Sequence, residues 1–384
     1  MRRKIAVVTA TRAEYGILRP LILKLNKDED FELQVIVTGT HLDKKYGNTQ
    51  DEIINDGVAI TRKIQILEEG NSQYDISITM ANAIRGFAEY FRDERPELMI
   101  ILGDRTEILG VCAAAMNANI PIAHLHGGEI TEGAVDDCVR HAVSKMSYLH
   151  FSANETYRQR IIQMGESPDR VFNVGALGVE NILNVPLLSK EKICAQVGTP
   201  TDRPYVVVTF HPVTLEGESV EAHVKEFIGA LEANGEYFYL ITKANADAGG
   251  ALVNEMLENY AEGKENVKVV ASLGMLRYLS ALKYAEFALG NSSSGILEAP
   301  ALGVPTVNIG NRQKGRLMAE SVINCDTTTE AISKAMKIAQ RTEHKVSNLY
   351  GDGNTSDKII SVIKEYLLND KIDLKKQFYD IDIS

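Results

Sequence analysis

Residues Ile5–Leu25 read IAVVTATRAEYGILRPLILKL, and this stretch decides the fold class. Ile5–Thr9 is a short apolar run that is typical of a buried strand. The residues that follow place apolar side chains at helical spacing, namely Ile17, Leu18, Leu21, Ile22 and Leu25. The stretch therefore predicts a strand followed by a helix, which is the repeating unit of α/β proteins with parallel sheets.

The same alternation continues through the first half of the chain and then starts again. The predicted elements of the first half are strands Leu33–Val37, Leu98–Leu102, Ile122–Leu125 and Phe172–Val174 and helices Ile76–Phe91 and Ile108–Ala118. The second series of predicted strands is Tyr205–Phe210, Tyr237–Thr242, Val267–Val270, Phe287–Leu289 and Thr306–Ile309. Two similar α/β halves are expected.

The segment between the two halves, residues 175–204, is the best candidate for a linker because it contains Pro186, Gly198, Pro200 and Pro204. We therefore expect an N-terminal Rossmann-like domain at 1–175, a C-terminal nucleotide-binding one at 176–355, and a helix with a tail at 356–384. One large sheet with a loop excursion is the alternative. A chain of 384 residues favours two domains.

Composition excludes several classes of protein. With 45% hydrophobic and 24% charged residues, the chain is globular in composition, and its formal net charge of −11 offers no overall attraction for nucleic acid or anionic membrane. Four cysteines are widely spread with no CxxC pair, and no apolar run reaches about 18 residues. We expect a cytoplasmic protein.

Ligands of open α/β sheets bind beyond the carboxyl ends of the strands, so the polar residues after each predicted strand are the candidate site. The five clusters of this kind are 9–14 (TATRAE), 103–105 (GDR), 124–129 (HLHGGE), 210–214 (FHPVT) and 290–295 (GNSSSG).

The serine cluster at 290–295 precedes a predicted helix, whose free N–H groups favour an anion such as phosphate. Glu298 could hold a ribose diol or cap that helix, and a simple serine N-cap is the alternative for the whole segment.

Arg12 and Arg105 follow strands and could each bind a phosphate or form a surface ion pair, and Arg312 and Arg316 form a local basic patch. Walker A, GxGxxG and GxSxG spacings do not occur.

Acidic and imidazole side chains are densest after two neighbouring predicted strands, and they are Asp104, His124, His126, Glu129, Asp136, Asp137 and His141. Three interpretations remain open. Some of these groups, Asp137 and His141 above all, can be caps or surface residues. His-x-His with carboxylates can bind Zn, Mn or Fe, which would indicate a metal-dependent hydrolase. Clustered carboxylates can also transfer protons without a metal.

Seven motifs of the chain together resemble, in order, those of the hydrolysing UDP-N-acetylglucosamine 2-epimerases, bacterial sialic-acid-pathway type. These motifs are Arg12–Gly16, Gly103–Arg105, His126–Glu129, Asp136–His141, His211–Thr214, Gly290–Gly295 and Arg312–Arg316, and the tail Phe378–Asp380 also resembles that of the bacterial members.

The resemblance implies the glycosyltransferase-B architecture, with the ligand cleft between two Rossmann-like domains and the C-terminal helix packing back toward the N-terminal domain. It also implies conversion of UDP-N-acetylglucosamine to UDP and N-acetylmannosamine for sialic acid biosynthesis. UDP is eliminated across C1 and C2 to give 2-acetamidoglucal, and water then adds with inversion at C2.

The resemblance also assigns residues. Asp104, Glu129 and Asp136 correspond to the catalytic carboxylates, collectively, and His211 to a catalytic residue that donates to the diphosphate or to the leaving oxygen. Arg12, Arg105, Ser292, Ser293, Glu298 and Arg312 correspond to UDP-binding positions, and His41 and His126 to the sugar pocket. No metal or other cofactor is implied, and relatives form dimers or tetramers. The same chemistry on UDP-N,N′-diacetylbacillosamine or on a GDP-linked sugar, for legionaminic acid, remains an alternative.

Overall fold

A computed structural model describes residues 2–43, 49–70, 72–130, 135–212, 220–244 and 250–382. The chain divides into two compact units. The first unit consists of Met1–Asn181 together with Gly351–Ser384, and the second unit is Ile182–Tyr350.

The first unit contains a parallel sheet whose described strands are β1 (Arg3–Thr9), β2 (Phe31–Thr38), β3 (Ile60–Ile64), β4 (Leu98–Leu102), β5 (Ile122–Leu125), β6 (Leu149–Ser152) and β7 (Val171–Asn173). Its described helices are α1 (Arg12–Lys27), α2 (Gln50–Asn55), α3 (Gln73–Asp93), α4 (Thr106–Asn117), α5 (Val135–Met146), α6 (Glu155–Gln163) and, from the end of the chain, α14 (Thr355–Leu368), while α7 (Leu177–Asn184) crosses the division. The strands lie in the order β3-β2-β1-β4-β5-β6-β7, and this is the Rossmann order with one strand added.

The core of the first unit lies on both faces of this sheet. Ile5 and Val7 point into one buried cluster, and Ala6 and Val8 point into the other, because successive side chains of a strand alternate between faces. A strand covered on both faces reads as a continuous apolar run, which is why Ile5–Thr9 gives so clear a signal. Helix α14 contributes Ile359 and Ile363 to the first of these clusters.

The second unit repeats the plan. Its described strands are β8 (Tyr205–Thr209), β9 (Phe238–Thr242), β10 (Val267–Val270), β11 (Ala288–Gly290), β12 (Thr306–Ile309) and β13 (Val322–Cys325), in the order β10-β9-β8-β11-β12-β13. Its described helices are α8 (Lys190–Val197), α9 (Val220–Ala233), α10 (Gly250–Ala261), α11 (Gly274–Lys283), α12 (Ser294–Ala301) and α13 (Thr329–Ala339). All of the pairings are parallel.

The predicted fold class, two Rossmann-like α/β domains, is confirmed. The segment 175–204, which we expected to be a linker, holds the two short helices α7 and α8. None of the helices in the described ranges is both long and apolar enough to span a bilayer.

Candidate functional site

In both units the candidate residues lie at the topological switch point, where the order of the strands reverses. In the first sheet this point is between β1 and β4, and in the second it is between β8 and β11. Loops that leave two such strands in opposite directions open a crevice at the carboxyl edge of the sheet. The sequence clusters that follow Thr9, Leu102, Thr209 and Leu289 are therefore held at these crevices by the fold itself.

The crevice of the first unit contains a cavity of about 270 Å³. The titratable residues that line it are Glu14, Asp104, Arg105, His126, Glu129 and Arg140. Asp104 follows β4 by way of Gly103, whose φ of 75° suits glycine, and Glu129 follows β5 by way of a His-Gly-Gly turn. The structure thus brings Asp104, Arg105, His126 and Glu129 of the predicted site to one place.

Arg140 organises this cavity, although the sequence analysis gave it no role. Its side chain is only 5% exposed, and it forms ion pairs with the carboxylates of Asp104 and Asp137, at 2.5 Å for Asp137. It also donates a hydrogen bond to the carbonyl oxygen of Glu129 at 2.8 Å. One guanidinium therefore ties the β4–α4 turn and the loop after β5 to helix α5. Asp137, which sequence alone suggested to be a cap or surface residue, is one of its partners.

The three predicted carboxylates lie close enough to influence one another. Burial raises the pKa of Asp104 above its usual range, although the charge and hydrogen bond of Arg140 oppose this, and the negative charges of Asp136 and Glu129 raise it further. Asp136 stands exposed in the first turn of α5. Mutual repulsion of this kind favours different protonation states for neighbouring carboxyl groups, as acid–base chemistry requires.

The two histidines of the His-x-His sequence serve different purposes. His124 is buried at the end of β5, with Nε2 2.8 Å from the carbonyl oxygen of Gly103 and Nδ1 3.1 Å from Oγ of Ser144, and burial lowers its pKa to about 3. His126 lies beyond the strand with a φ of 63°, and its Nδ1 is 3.0 Å from Oε1 of Glu129. The two rings therefore do not share a strand face, as the metal interpretation assumed. Among the described residues, no three His, Cys, Asp or Glu side chains are grouped to hold a metal ion.

Glu14 is a second residue of this cavity that the sequence analysis did not single out. Its side chain is 7% exposed, Oε2 accepts the N–H of Ala10 at 2.8 Å, and Oε1 has no hydrogen-bond partner among the described residues. Burial raises its pKa to about 7, while the charge of Arg105 opposes the rise. Its position three residues after the N-cap Thr11 was the available signal, because an acidic side chain there turns back toward the start of a helix.

His41 and Arg12 do not join the cavity. His41 is fully buried, with Nε2 3.0 Å from Oγ1 of Thr9 and Nδ1 2.8 Å from Oγ1 of Thr49, and burial lowers its pKa to about 4. The side chain of Arg12 is 71% exposed and forms an ion pair with Glu52 at 2.6 Å. Arg105, which does line the cavity, pairs with Glu107 at 2.6 Å.

The crevice of the second unit is organised by Asn291. Its Oδ1 accepts the N–H of His211 at 2.7 Å, its Nδ2 donates to the carbonyl oxygen of His211 at 2.8 Å, and its own carbonyl accepts from Arg312 at 3.1 Å. Two of the predicted residues, His211 and Arg312, are thus brought together by a buried amide that sequence reasoning did not single out. Asn291 stands between Gly290 and the serines in the GNSSSG cluster, which was the only signal.

The predicted phosphate cradle lies beside Asn291. Gly290 has a φ of 136°, and a Cβ at this position would overlap the carbonyl oxygen of Thr209, so glycine alone lets β11 approach β8 so closely here. Ser293 is the N-cap residue of α12, and Ser292 and Ser293 are both partly buried. The start of α12 therefore has serine hydroxyl groups at the positive end of the helix dipole, an arrangement that suits an anion.

Glu298, the predicted ribose contact, follows one turn later. It accepts a hydrogen bond from the hydroxyl of Ser294, which lies 2.6 Å from the hydroxyl of Tyr278. Burial raises the pKa of Glu298. Burial and the negative charge of Glu298 together raise the pKa of Tyr278 to about 12. Its carboxylate keeps further acceptor capacity, because a carboxylate can accept several hydrogen bonds.

Two Rossmann-like units, with carboxylates at the switch point of one and hydroxyls at that of the other, define a two-domain α/β protein of the glycosyltransferase-B type. The sequence matches the protein family described as UDP-N-acetylglucosamine 2-epimerase over residues 23–364, and the chain belongs to this family. The family resemblance seen in the seven motifs is confirmed.

Three relatives match almost the whole chain. It is 38% identical to GDP/UDP-N,N′-diacetylbacillosamine 2-epimerase (hydrolyzing) of Campylobacter jejuni, over 99% of this chain and 100% of the relative. It is 37% identical to UDP-N,N′-diacetylbacillosamine 2-epimerase (hydrolyzing) of Legionella pneumophila, over 97% of this chain and 98% of the relative. It is 36% identical to polysialic acid biosynthesis protein P7 of Escherichia coli, over 99% of this chain and 98% of the relative.

Solved structures share the fold. The UDP-GlcNAc 2-epimerase from Neisseria meningitidis, bound to UDP-GlcNAc, has a TM-score of 0.75 at 18% identity, covering 94% of this chain and 100% of that one. The UDP-GlcNAc 2-epimerase from Methanocaldococcus jannaschii also has a TM-score of 0.75 at 18% identity, covering 94% and 99%.

Proposed function

We propose that this protein is a hydrolysing 2-epimerase that converts UDP-N-acetylglucosamine to UDP and N-acetylmannosamine. The observation that carries the proposal is the cavity of the first unit, in which Asp104 and Glu129 lie beside the buried Arg140. The negative charge of the nearby Asp136 also acts on Asp104. Whole-chain similarity to enzymes named as hydrolysing 2-epimerases supports the reaction type.

The chemistry explains the need for several carboxylates. One carboxylate removes the weakly acidic C2 proton, the C1–O bond breaks, and its electron pair leaves with UDP, which forms the C1–C2 double bond of 2-acetamidoglucal. Water then adds its hydroxyl to C1, and a carboxyl group returns a proton to the opposite face of C2. We assign these steps collectively to Asp104, Glu129 and Asp136, because a positioned acid and a positioned base are both needed.

Arg140 keeps Asp104 available as a base. Its charge and its hydrogen bond oppose the effect of burial on the pKa of Asp104, and both favour the carboxylate form. We keep His126, whose ring lies beside Glu129, as a contact to the sugar. His41, the other residue assigned to the sugar pocket, would act through Thr9 and Thr49 because its ring is buried.

The second unit would hold the nucleotide. We assign the diphosphate to His211, Arg312 and the start of α12, where Ser292 and Ser293 add hydroxyl donors. Glu298 would accept hydrogen bonds from the ribose diol.

We also keep Arg12 and Arg105 as phosphate contacts, which requires that the diphosphate compete with their present partners Glu52 and Glu107. No cofactor is part of this proposal. A cytoplasmic location and assembly into a homo-oligomer, a dimer or a tetramer, remain predictions.

A second candidate substrate is UDP-N,N′-diacetylbacillosamine or its GDP-linked counterpart. The relatives at 38% and 37% identity carry the names of enzymes for these sugars, and this observation favours the candidate. The chemistry at C1 and C2 is unchanged, because the second acetamido group is at C4. A pathway to legionaminic acid would then replace one to sialic acid.

The test is proton NMR of the purified protein with each nucleotide sugar in deuterated water containing EDTA. We expect free nucleotide, the 2-epimer of the sugar and deuterium at C2. The faster substrate decides between the two sugars. Asp104→Asn should reduce turnover by several orders of magnitude while UDP binding persists, and the exposed Asp93→Asn is the matched control. Turnover that requires added metal would instead support the metal-dependent hydrolase, and absence of any turnover would refute the proposal.

A further inference from the structure

The tail beyond α14 has no part in the chemistry proposed above, yet one of its lysines is held in a defined site. Nζ of Lys376 lies 3.0 Å from the carbonyl oxygen of Lys145 and 2.7 Å from that of Ser147. It also lies 2.9 Å from Oε1 and 2.8 Å from Oε2 of Glu166. The ammonium group therefore has four oxygen partners, all within the first unit.

Glu166 is the centre of this site. Its side chain is fully buried, and it also pairs with Lys145 at 2.6 Å and Arg170 at 3.6 Å, while Nε2 of His150 lies 3.2 Å from its Oε2. Burial alone would raise the pKa of Glu166, but hydrogen bonds from His150, Lys145 and Lys376 lower it to about 2. A carboxylate that is fully buried depends on such partners, so loss of Lys376 would leave the cluster less well compensated.

Two neighbouring tail residues hold the same segment in place. The N–H of Tyr379 donates to the carbonyl oxygen of Gly165 at 3.0 Å. The ring of Phe378 packs over Gly165, where a Cβ would overlap it, and Nζ of Lys145 lies 5.2 Å from the ring centroid. The motif Phe378–Asp380, seen in the sequence, thus contains the residues that dock the tail.

The two carbonyl groups that Lys376 contacts lie at the C-terminal end of α5. Lys145 lies in the last turn of α5, and Ser147 is the first residue after this helix. The ammonium of Lys376 therefore lies at the negative end of the α5 dipole, where cations are favourable. The same helix carries Asp136 and Arg140. Asp136 lies about 13.5 Å from Lys145 along the axis, at about 1.5 Å per residue. A tilt of about 4° at the Lys145 end would therefore move Asp136 by about 1 Å, a displacement that can reduce a rate about 100-fold.

We propose that Lys376 is a positioning residue, which fixes the C-terminal end of α5 through Glu166 and thereby sets the positions of Asp136 and Arg140 relative to Asp104. This inference rests on the proposed 2-epimerase function. The tail strap, defined as residues 373–382, is on this basis part of the active enzyme although it touches none of the reacting atoms.

The test compares Lys376→Met with Lys375→Met in the full-length protein. Methionine keeps much of the length of lysine without its charge, and Lys375 is an exposed neighbour. For Lys376→Met we expect kcat to fall at least tenfold, KM to change less than threefold, and amide hydrogen exchange of α5 to become faster. For Lys375→Met we expect all three to match the wild type. Phe378→Ala, a milder change at a largely exposed ring, should give the same pattern with a smaller fall in kcat.

Each outcome is informative. Lys376→Met and Phe378→Ala with wild-type kcat and unchanged exchange in α5 would overturn the inference, as would a loss confined to KM or to thermal stability. If Lys376→Met does not fold, the result with Phe378→Ala decides. Wild-type protein that turns over none of the three nucleotide sugars would refute the proposed function instead.

Discussion

Replacement of Arg140 by glutamine tests the centre of the proposed site. Arg140 is a buried guanidinium with two carboxylate partners, so its loss removes a counter-charge from both Asp104 and Asp137. Removal of one member of a buried ion pair costs about 3–5 kcal/mol in the free energy of unfolding. The exposed pair between Arg92 and Asp93, also in the first unit, supplies the control Arg92→Gln, which should have little effect on the free energy of unfolding.

The effect on activity follows from the pKa of Asp104. Burial raises this pKa and Arg140 lowers it, so Arg140→Gln leaves the effect of burial unopposed and the pKa rises further. A neighbouring cation typically lowers the pKa of an aspartate by about 1–3 units, so the variant should show a rise of about that size. A carboxyl group acts as a base only when ionised, so the assignment of Asp104 as a base predicts that the acidic limb of the kcat/KM profile moves to higher pH by the same amount.

The stability of the variant should also depend on pH in a defined direction. A carboxyl group whose pKa is higher in the folded than in the unfolded state destabilises the fold as pH rises between the two values. Arg140→Gln should therefore lose most stability at high pH and regain part of it in acid. Urea denaturation and kcat/KM measured from pH 5 to 9 would check both effects. An acidic limb that stays in place would refute the assignment of Asp104 as a base controlled by Arg140.

Three further predictions concern single side chains. Glu14→Gln should be more stable than wild type at pH 8 by up to about 3 kcal/mol and should lose this advantage at pH 4. The reason is that the wild-type Glu14, with a pKa of about 7, must ionise in a buried place as the pH rises from 4.5 to 7, which destabilises the fold. Equal denaturation midpoints of the two proteins at pH 8 would contradict this prediction. Gly290→Ala should lower the free energy of unfolding by about 3 kcal/mol or more, because of the φ of 136° and the overlap of a Cβ with Thr209. Gly235→Ala is the control and should leave the free energy of unfolding nearly unchanged, because a Cβ there meets only ordinary contacts. Calorimetry would measure both variants. Glu298→Gln should weaken UDP binding about tenfold in titration calorimetry, and an unchanged Kd would remove Glu298 from the ribose site.

The sequence predicted most of the described strands and missed others for a physical reason. Strands Leu98–Leu102, Ile122–Leu125, Val267–Val270 and Thr306–Ile309 were predicted with the bounds that the structure gives. Strand β3 was missed because three of its five residues are exposed at the edge of the sheet, so that polar side chains interrupt the apolar run. Strand β6 was missed because its buried positions include His150 and Ser152, whose polar atoms find partners only in the folded protein.

The candidate site divides in the same way. Asp104, Glu129 and His211 could be predicted because they directly follow strands and the fold rule directs attention there. Arg140 and Asn291 could not, since each acts on a partner distant in sequence, 36 residues away for Asp104 and 80 for His211. A buried arginine also contradicts the ordinary preference of that side chain for the surface, and only its carboxylate partners make its burial favourable.

The distribution of charge between the two units accounts for which unit should perform which step. Asp104, Glu129 and Asp136 give the crevice of the first unit a local negative charge that Arg140 and Arg105 offset only in part. A diphosphate bound there would raise the cost of keeping the base ionised. The crevice of the second unit instead has the start of α12 and Arg312, which attract an anion. The proposed division therefore gives proton transfer to the first unit and most of the nucleotide to the second, while Arg12 and Arg105 supply the contacts of the first unit to the phosphates.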